Sequence, residues 1–240
     1  MKGIVLIISI LFFSIYTSAQ KDVCLEDVEE IYRVWTKQIE ENKSGFYLKY
    51  NYEVQVKSSN GINKNAAIME LISHESNSVF QTKNLNVFQD KKHTVTVMDD
   101  KKLIIINSYV GDAYKQEKIG QFQLLKDSMF QMLTTQQCDD INFKGSTYKR
   151  VLLKANDKAK KAYNIKTIEF LLDEELKRIK KVLINYVDGY KVYAMQMEII
   201  TQKLNYQQSS IKKEVLNNVF NSEGRLLKKY STYQLIDNRN

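Results

Sequence analysis

The spacing of apolar residues changes along the chain, and each spacing predicts a different kind of element. From Val23 to about Glu41 apolar residues recur every three or four positions, which is typical of an amphipathic helix. From Phe46 to Val56 apolar and mostly polar residues alternate, which predicts a strand with one buried face. The pair Asn60-Gly61 follows, and this pair is typical of a tight hairpin turn. The pattern therefore predicts a helix that leads into an antiparallel hairpin.

A second apolar stretch of helical period divides the remaining alternating segments. It runs from Gly120 to about Cys138 and predicts an inserted amphipathic helix. The strands predicted before it are Ala66 to Ser73, Val79 to Thr82, Leu85 to Gln89, Thr94 to Met98 and Leu103 to Ile106. The strands predicted after it are Tyr148 to Leu153, Tyr163 to Leu172, Ile179 to Val187, Tyr190 to Leu204, Ile211 to Phe220 and Leu226 to Ile236. Asp188-Gly189 and Glu223-Gly224 indicate two further hairpins, and Asn156 to Lys161 reads as a lysine-rich loop.

This order of elements predicts a β-rich α+β fold. Many long strands joined by short turns favour a strongly curved antiparallel sheet or an incomplete β-barrel. The N-terminal helix and the inserted helix are then available to cover it. The chain has no proline and only 8 glycines, and no linker interrupts the pattern. We therefore expect one domain, spanning residues 20 to 240.

The first 19 residues have the layout of a secretory signal peptide. Lys2 supplies a positive charge, Ile4 to Tyr16 is almost wholly apolar, and Thr17 to Gln20 offers a small-residue cleavage point. We expect cleavage after Ala19 or Gln20. Cys24 lies too far from the apolar run to be a lipidation site, and no other segment is long and apolar enough to span a bilayer. The mature protein is expected to be soluble in a periplasmic or extracellular space.

Two cysteines, Cys24 and Cys138, remain after the signal peptide. In an oxidising compartment they can form one disulfide, and two buried free thiols are equally compatible with their apolar surroundings. No CxxC motif and no Cys/His cluster is present, so the sequence predicts neither a metal site nor thiol redox chemistry.

The net charge of +8 comes from lysines that are spread along the chain. A dispersed excess of this kind is typical of a solvated surface, and it is also compatible with attraction to anionic lipids or glycans. Export and the lack of a basic cluster interleaved with aromatic residues argue against nucleic-acid binding.

The motifs of known enzyme classes are missing from the sequence. His74 and His93 belong to no HExxH motif, and neither a GxSxG elbow nor a glycine-rich phosphate loop occurs. Adjacent acids such as Asp99-Asp100, Asp139-Asp140 and Asp173-Glu174-Glu175 lie at the ends of predicted elements, where turn and capping roles are common. We therefore predict no catalytic residue, no cofactor and no enzymatic activity.

The abundance of aromatic residues is more informative than the catalytic motifs. The chain contains 15 tyrosines, 10 phenylalanines and 7 methionines, and these side chains suit both an ordinary core and the lining of an apolar pocket. The candidates for ligand lining are the inward-facing residues of the first long strand and two methionines of the inserted helix: Leu48, Tyr50, Tyr52, Val54, Met129 and Met132. Core packing explains these six equally well.

Two stretches also resemble a known family. Val97 to Ile105 reads as a strand, an acidic turn and a strand that lead to an inserted helix. Phe170 to Asp173, Ile179 to Tyr186 and Asp188-Gly189 read as later hairpins. In these stretches and in element order the chain resembles the superfamily of outer-membrane lipoprotein carriers and receptors (LolA/LolB-like). The resemblance implies a half-barrel domain and a divergent relative of these carriers.

Two functional hypotheses follow. The first is a non-catalytic envelope carrier or chaperone that binds a lipid, an acyl chain or a lipoprotein in an apolar concave pocket. The alternative is a structural or protein-interaction component of a cell-envelope or secretion assembly, which would have a filled core and bind an envelope protein through sheet edges.

Overall fold

Twelve strands form one sheet in the part of the chain that the structure describes. The structure is a computed structural model, which describes residues 22–41, 45–74, 77–108, 127–206, 212 and 214–239. The strands are β1 (Phe46–Ser58), β2 (Gly61–His74), β3 (Asn77–Gln81), β4 (Leu85–Gln89), β5 (His93–Met98), β6 (Leu103–Ser108), β7 (Leu133–Phe143), β8 (Ser146–Ala155), β9 (Ile165–Asp173), β10 (Arg178–Tyr186), β11 (Val192–Leu204) and β12 (Gln234–Asn238). The helices are α1 (Val23–Glu41), α2 (Asp127–Phe130) and α3 (Asp157–Tyr163), and two 3₁₀ helices span Val215–Asn218 and Lys228–Tyr230.

The order of the strands across the sheet is β12-β6-β5-β4-β3-β2-β1-β11-β10-β9-β8-β7. The sheet is curved and unclosed, so the predicted β-rich α+β class with an incomplete barrel is confirmed. Every pairing is antiparallel among the described strands except that of β12, which runs parallel to β6. β12 follows residues 214–233, which lie against one face of β5 and β6 and bring the chain to the outer edge of β6.

The main core lies between α1 and one face of the sheet, which we call the helix face. α1 lies across β7, β8, β9 and β10 and buries Val28, Ile31 and Trp35. The Trp35 Nε1–H donates a hydrogen bond to Gln202 Oε1 on β11 at 2.9 Å, so the one polar atom of this ring is satisfied. The apolar stripe of the predicted amphipathic helix is thus the stripe that is buried.

A second core lies on the opposite face of the sheet, which we call the back face. Strand register places Val95 and Val97 of β5 and Ile104 and Ile106 of β6 on this face. The C-terminal segment, residues 214–233, covers them, and its own contributions to this core are Val215, Val219 and Tyr230. The Val215 N–H donates to Asp90 Oδ2 at 3.0 Å, which ties this segment to the turn between β4 and β5.

A disulfide fixes the start of α1 to the edge of the sheet. The Sγ atoms of Cys24 and Cys138 are joined, and they connect α1 to β7 across 114 positions of sequence. Of the two states that the sequence left open, the structure has the disulfide. Beside it the carboxylate of Asp22 accepts hydrogen bonds from the N–H (2.9 Å) and the Oγ1–H (2.6 Å) of Thr135 on β7.

The predicted helix from Gly120 to Cys138 is wrong over its second half. Residues 120–126 lie outside the described part, a single helical turn spans Asp127–Phe130, and β7 begins at Leu133. Cys138 is therefore on a strand, where it pairs with Val151. The β-branched pair Thr134-Thr135 and pairing with β8 along the whole strand outweigh the helical spacing of the methionines.

Three further segments differ from the sequence prediction. The predicted loop at Asn156 to Lys161 contains α3, because the Asn156 side chain caps this helix by accepting from the Ala159 N–H. The predicted strand Ile211 to Phe220 holds the first 3₁₀ helix, and Ile211 itself lies outside the described part. Of the predicted strand Leu226 to Ile236, only residues from Gln234 onward are extended. Apolar and polar residues alternate in these last two segments because one side of the irregular chain packs on the second core.

Candidate binding face

The helix face of β1 to β6 and β12 carries two apolar rows that run across the strands. Directly paired residues lie on the same face of a sheet, so the strand register defines each row. The first row contains Leu48, Leu71, Phe80, Val87, Thr96, Ile105 and Ile236. The neighbouring row contains Tyr50 and Met69 on β1 and β2, and Leu85, Met98 and Leu103 on β4 to β6. We call these two rows the apolar rows.

The burial of these rows differs from that of the back face of the same strands. On β6, Ile104 and Ile106 face the second core and are fully buried, whereas Leu103 and Ile105 on the helix face are only half-buried. Phe80 and Val87 of the first row are also half-buried. A strand that is apolar on both faces is typical of a sheet whose two faces are both covered. β6 has this composition, and its helix face is less buried than its back face.

The described helices pack on other parts of the sheet. α1 lies across β7 to β10, and α3 packs against β8 and β9. The first 3₁₀ helix packs against β4 and β5 from the back face, where its Val215 and Val219 belong to the second core. Leu48 and Tyr50 lie at one end of the apolar rows in the core beneath α1, so the rest of the rows forms the candidate binding face of the described structure.

A polar row borders the apolar rows on the same face. It contains Ser73, Ser78, Gln89, Thr94, Asn107 and Asn238, which are aligned across β2 to β6 and β12. Gln89 and Thr94 are buried, and Asn238 Nδ2–H donates to Asn107 Oδ1 at 2.9 Å. The candidate face is thus amphipathic, with an apolar floor and amide and hydroxyl groups along one side.

The four predicted lining residues of β1 fall into two pairs. Leu48 and Tyr50 are buried and belong to the core beneath α1. Tyr52 and Val54 are half-buried further along the same face, and Tyr52 packs against that core. All four therefore point to the helix face as the alternation indicates, and their ligand-lining role stays a prediction.

Three phenols lie together near this part of the face. Burial, followed by the neighbouring Tyr52, raises the pKa of Tyr50, and burial also raises the pKa of Tyr52. Tyr186 on β10 donates its O–H to Met195 Sδ at 3.2 Å, and its pKa is raised first by burial and then by Tyr52 and Tyr190. These hydroxyls stay neutral at any physiological pH, so they can donate hydrogen bonds without adding charge to an apolar site.

The two predicted methionines lie just before β7, Met129 in α2 and Met132 in the turn that follows it. Met129 is buried in the main core beside Phe130, whose ring meets that of Tyr32 on α1 edge-on with centroids 5.6 Å apart. Met132 is half-buried against the same core. Both methionines thus lie beneath α1 rather than on β1 to β6, and their role toward a ligand also stays a prediction.

Some of the acidic and histidine side chains that the sequence offers as candidates make turn or tertiary contacts. Asp173 accepts the Leu176 N–H at 3.0 Å in a turn, and Asp99 accepts the Tyr233 O–H at 2.9 Å. His93 lies 3.9 Å from Asp90 beside the turn between β4 and β5. Among the described residues no three His, Cys, Asp or Glu side chains are grouped to hold a metal ion. No described helix is both long and apolar enough to cross a membrane.

Sequence reasoning missed most of the candidate face. Phe80, Val87, Met98 and Ile105 lie on strands that alternation predicts, but it assigns no partner strand and so no row. The signal that could have indicated them is Leu103-Ile104-Ile105-Ile106, which is apolar at consecutive positions and so on both faces.

Comparisons with known proteins give structural likeness only. No family model and no curated protein matches the chain. Among solved structures it is similar to a conserved protein from Thermus thermophilus (8% identity, TM-score 0.43, covering 88% of this chain and 98% of that one). It is also similar to the lipoprotein LppX from Mycobacterium tuberculosis (10% identity, TM-score 0.42, covering 79% of this chain and 98% of that one). A third similar structure is a LolA superfamily protein from Nitrosomonas europaea (9% identity, TM-score 0.31, covering 76% of this chain and 97% of that one). The predicted resemblance to the LolA/LolB-like superfamily is confirmed as a likeness of fold alone, and at such identity and TM-scores it carries no conclusion about family, ligand or partner.

Proposed function

We propose that the chain is an exported, non-catalytic carrier that holds an acyl chain or another apolar segment against the apolar rows. The observation that carries the proposal is the unequal burial of the apolar residues on the two faces of β5 and β6. Their back-face residues Val95, Val97, Ile104 and Ile106 are fully buried, while the apolar helix-face residues Met98, Leu103 and Ile105 are half-buried. Covering the apolar rows with a ligand removes more apolar surface from water, which is the main source of affinity for an acyl chain.

Export is part of the proposal. The predicted signal peptide, residues 1–19, lies outside the described residues. The Cys24–Cys138 disulfide supports export, because structural disulfides persist in oxidising compartments and are rare in the cytosol. The polar row suits the other part of an amphipathic ligand, since its amide and hydroxyl groups can hydrogen-bond a carbonyl or a hydroxyl group.

The test is direct binding to the oxidised protein that begins at Gln20. We expect mass spectrometry of organic extracts to find co-purified lipid, and we expect a fluorescent fatty acid to bind saturably. Thr96→Glu places a carboxylate in the first apolar row, and burying that charge against an acyl chain should weaken binding by about tenfold or more. Thr201→Glu is the matched control, because Thr201 is a half-buried strand residue that is paired with Lys49 on the back face.

The result that contradicts the carrier function is a lipid-free protein that does not bind the fatty acid. If Thr96→Glu and Thr201→Glu lose binding equally, the protein is still a carrier but its binding site is not on the apolar rows. Circular dichroism and urea unfolding of both variants show whether a loss reflects misfolding.

A protein-interaction component of an envelope assembly is the second candidate. It is favoured by the filled core beneath α1 and by the unpaired outer edges of β7 and β12 in the described sheet. The same experiment separates the two candidates, because an interaction component binds no fatty acid and instead co-purifies a defined protein from its own envelope.

A further inference from the structure

Three chain segments meet at one end of the sheet and form a continuous rim. They are the end of β1, the turn between β10 and β11, and α3 with the start of β9. The Lys57 N–H donates to Lys191 O at 2.9 Å, which joins β1 to the start of β11. The Val187 N–H donates to Asn164 O at 2.8 Å, which joins the end of β10 to the residue after α3.

The rim is strongly basic. It presents five lysines, Lys57, Lys158, Lys161, Lys166 and Lys191, which the three segments bring together from distant parts of the chain. Asp188 lies among them, with its carboxylate 3.9 Å from Lys57 Nζ and 3.7 Å from Lys166 Nζ. Another nearby carboxylate, that of Asp157, pairs with Lys160 at 3.0 Å. Lys158, Lys161 and Lys191 are exposed, so positive charge dominates this end of the sheet.

Three tyrosines lie on the same rim and remain substantially exposed. Tyr163 is the last residue of α3 and is 39% exposed. Tyr190 lies in the β10–β11 turn and is 38% exposed, and Tyr193 lies at the start of β11 and is 40% exposed. The Tyr190 ring packs against that of Tyr186 with centroids 5.2 Å apart and an interplanar angle of 35°, and Lys57 Nζ lies 5.8 Å from the Tyr193 ring. Large aromatic side chains left in water at one place on the surface indicate a contact surface. We call the five lysines and these three tyrosines the lysine–tyrosine rim.

We propose that the lysine–tyrosine rim docks on an anionic phospholipid surface. Lysines attract anionic head groups, and tyrosine rings lie favourably at the boundary between head groups and acyl chains because one end of the ring is apolar and the other polar. Charge complementarity favours this partner, and the exposed tyrosines distinguish it from a polyanion in solution, which needs charge alone. The inference goes beyond the proposed function and does not depend on it.

Vesicle binding tests this docking. The full mature protein should sediment with vesicles of phosphatidylcholine and phosphatidylglycerol and far less with phosphatidylcholine alone. Binding should weaken as salt rises, because screening reduces the attraction. Each lysine near an anionic surface contributes about a fivefold factor, so Lys158→Gln, Lys161→Gln and Lys191→Gln together should reduce partitioning by about a hundredfold.

The matched control removes the same charge from the other end of the strands. Lys91 and Lys92 in the β4–β5 turn and Lys203 at the end of β11 are exposed, and there the triple change to Gln should reduce partitioning far less. The docking surface is wrong if the two triple variants lose binding equally. The lipid partner is wrong if the protein does not bind the anionic vesicles, or if it binds them no better than phosphatidylcholine.

Insertion of the tyrosines is tested separately from charge. On anionic vesicles a Tyr163→Trp variant should show a blue-shifted emission and quenching by bromine-labelled lipid. The native Trp35 is buried between α1 and the sheet, so the lipid should not quench it. Leu176→Trp is the control, because Leu176 is 54% exposed in the β9–β10 turn at the opposite end. Equal quenching of the two variants, or quenching of neither, would overturn the orientation proposed here.

Discussion

Asp22 illustrates how one carboxylate can fix the position of a helix. Besides the two hydrogen bonds from Thr135, it accepts the Leu25 N–H at 3.1 Å, so it caps α1 and binds β7 at the same time. Burial alone would raise its pKa, but the hydrogen bonds from Thr135, Leu25 and Cys24 outweigh burial and lower the pKa of Asp22. The ionised form is therefore the form that the folded protein favours.

A pH-dependent loss of stability follows from this shift. Because the folded pKa lies below the unfolded value of about 4, the stabilisation is complete above that pH and is lost as the pH falls through the folded pKa. Asp22→Asn keeps one acceptor oxygen and should lower the free energy of unfolding by about 1 to 2 kcal/mol near neutral pH. Urea unfolding of both proteins should show this difference shrinking in acid.

The exposed turn residue Asp100 supplies the control for that measurement. Asp100→Asn should leave the free energy of unfolding nearly unchanged at each pH, since exposed substitutions without partners have small effects. A stability difference for Asp22→Asn that is constant from neutral to acidic pH would contradict the role given to its charge.

At the scale of elements, sequence periodicity predicted the helices and strands that follow from the local pattern. It failed for segments whose conformation is set by tertiary packing or strand pairing. α1 and β1 follow the predicted spacing because each buries one regular stripe against the sheet or the helix. The helical spacing of apolar residues ends at Leu133, and the predicted helix continued to about Cys138, yet pairing with β8 makes residues 133–138 a strand. The C-terminal segment alternates like a strand, but it lies on the second core as 3₁₀ turns. For the candidate face, the β1 residues were predictable, and the rows of β2 to β6 were not, because they depend on register between strands.

The connection between α1 and β7 is the element-scale contact that is most open to test. The disulfide closes a loop of 114 positions, so removing it gives the unfolded chain much more conformational freedom. Changing Cys24 and Cys138 together to Ala should lower the free energy of unfolding by about 2 to 4 kcal/mol. Urea unfolding measures the loss, and reduction of the native protein with dithiothreitol should produce a similar shift. An unchanged midpoint in both experiments would show that the hydrogen bonds of Asp22 and the packing of α1 suffice.

On the scale of the whole molecule, the two cores lie on opposite faces of one sheet. The main core beneath α1 stabilises β1 and β7 to β11, whereas the second core beneath the C-terminal segment stabilises β4 to β6. β2 and β3 connect the two halves through backbone hydrogen bonds. In the described part of the chain, each half of this unclosed sheet has its cover on a different face. The apolar residues on the helix face of β5 and β6 are therefore less buried than those on the back face, and they belong to the apolar rows.

This arrangement makes the proposal of a single domain testable. Leu153 on β8 and Ile106 on β6 are fully buried, one in each core, and truncating either to Ala should cost about 2 to 5 kcal/mol. If residues 20 to 240 form one domain, both Leu153→Ala and Ile106→Ala should shift one cooperative transition, seen alike by circular dichroism and by Trp35 fluorescence. Ile68→Ala on the exposed back face of β2 should shift it little.

If Ile106→Ala instead splits the transition, so that Trp35 keeps the native midpoint while part of the sheet signal is lost earlier, the two cores unfold as separate units. The continuous ladder of paired strands from β12 to β7 argues for the single transition, because neither half can separate without leaving the backbone groups of β2 or β3 unpaired.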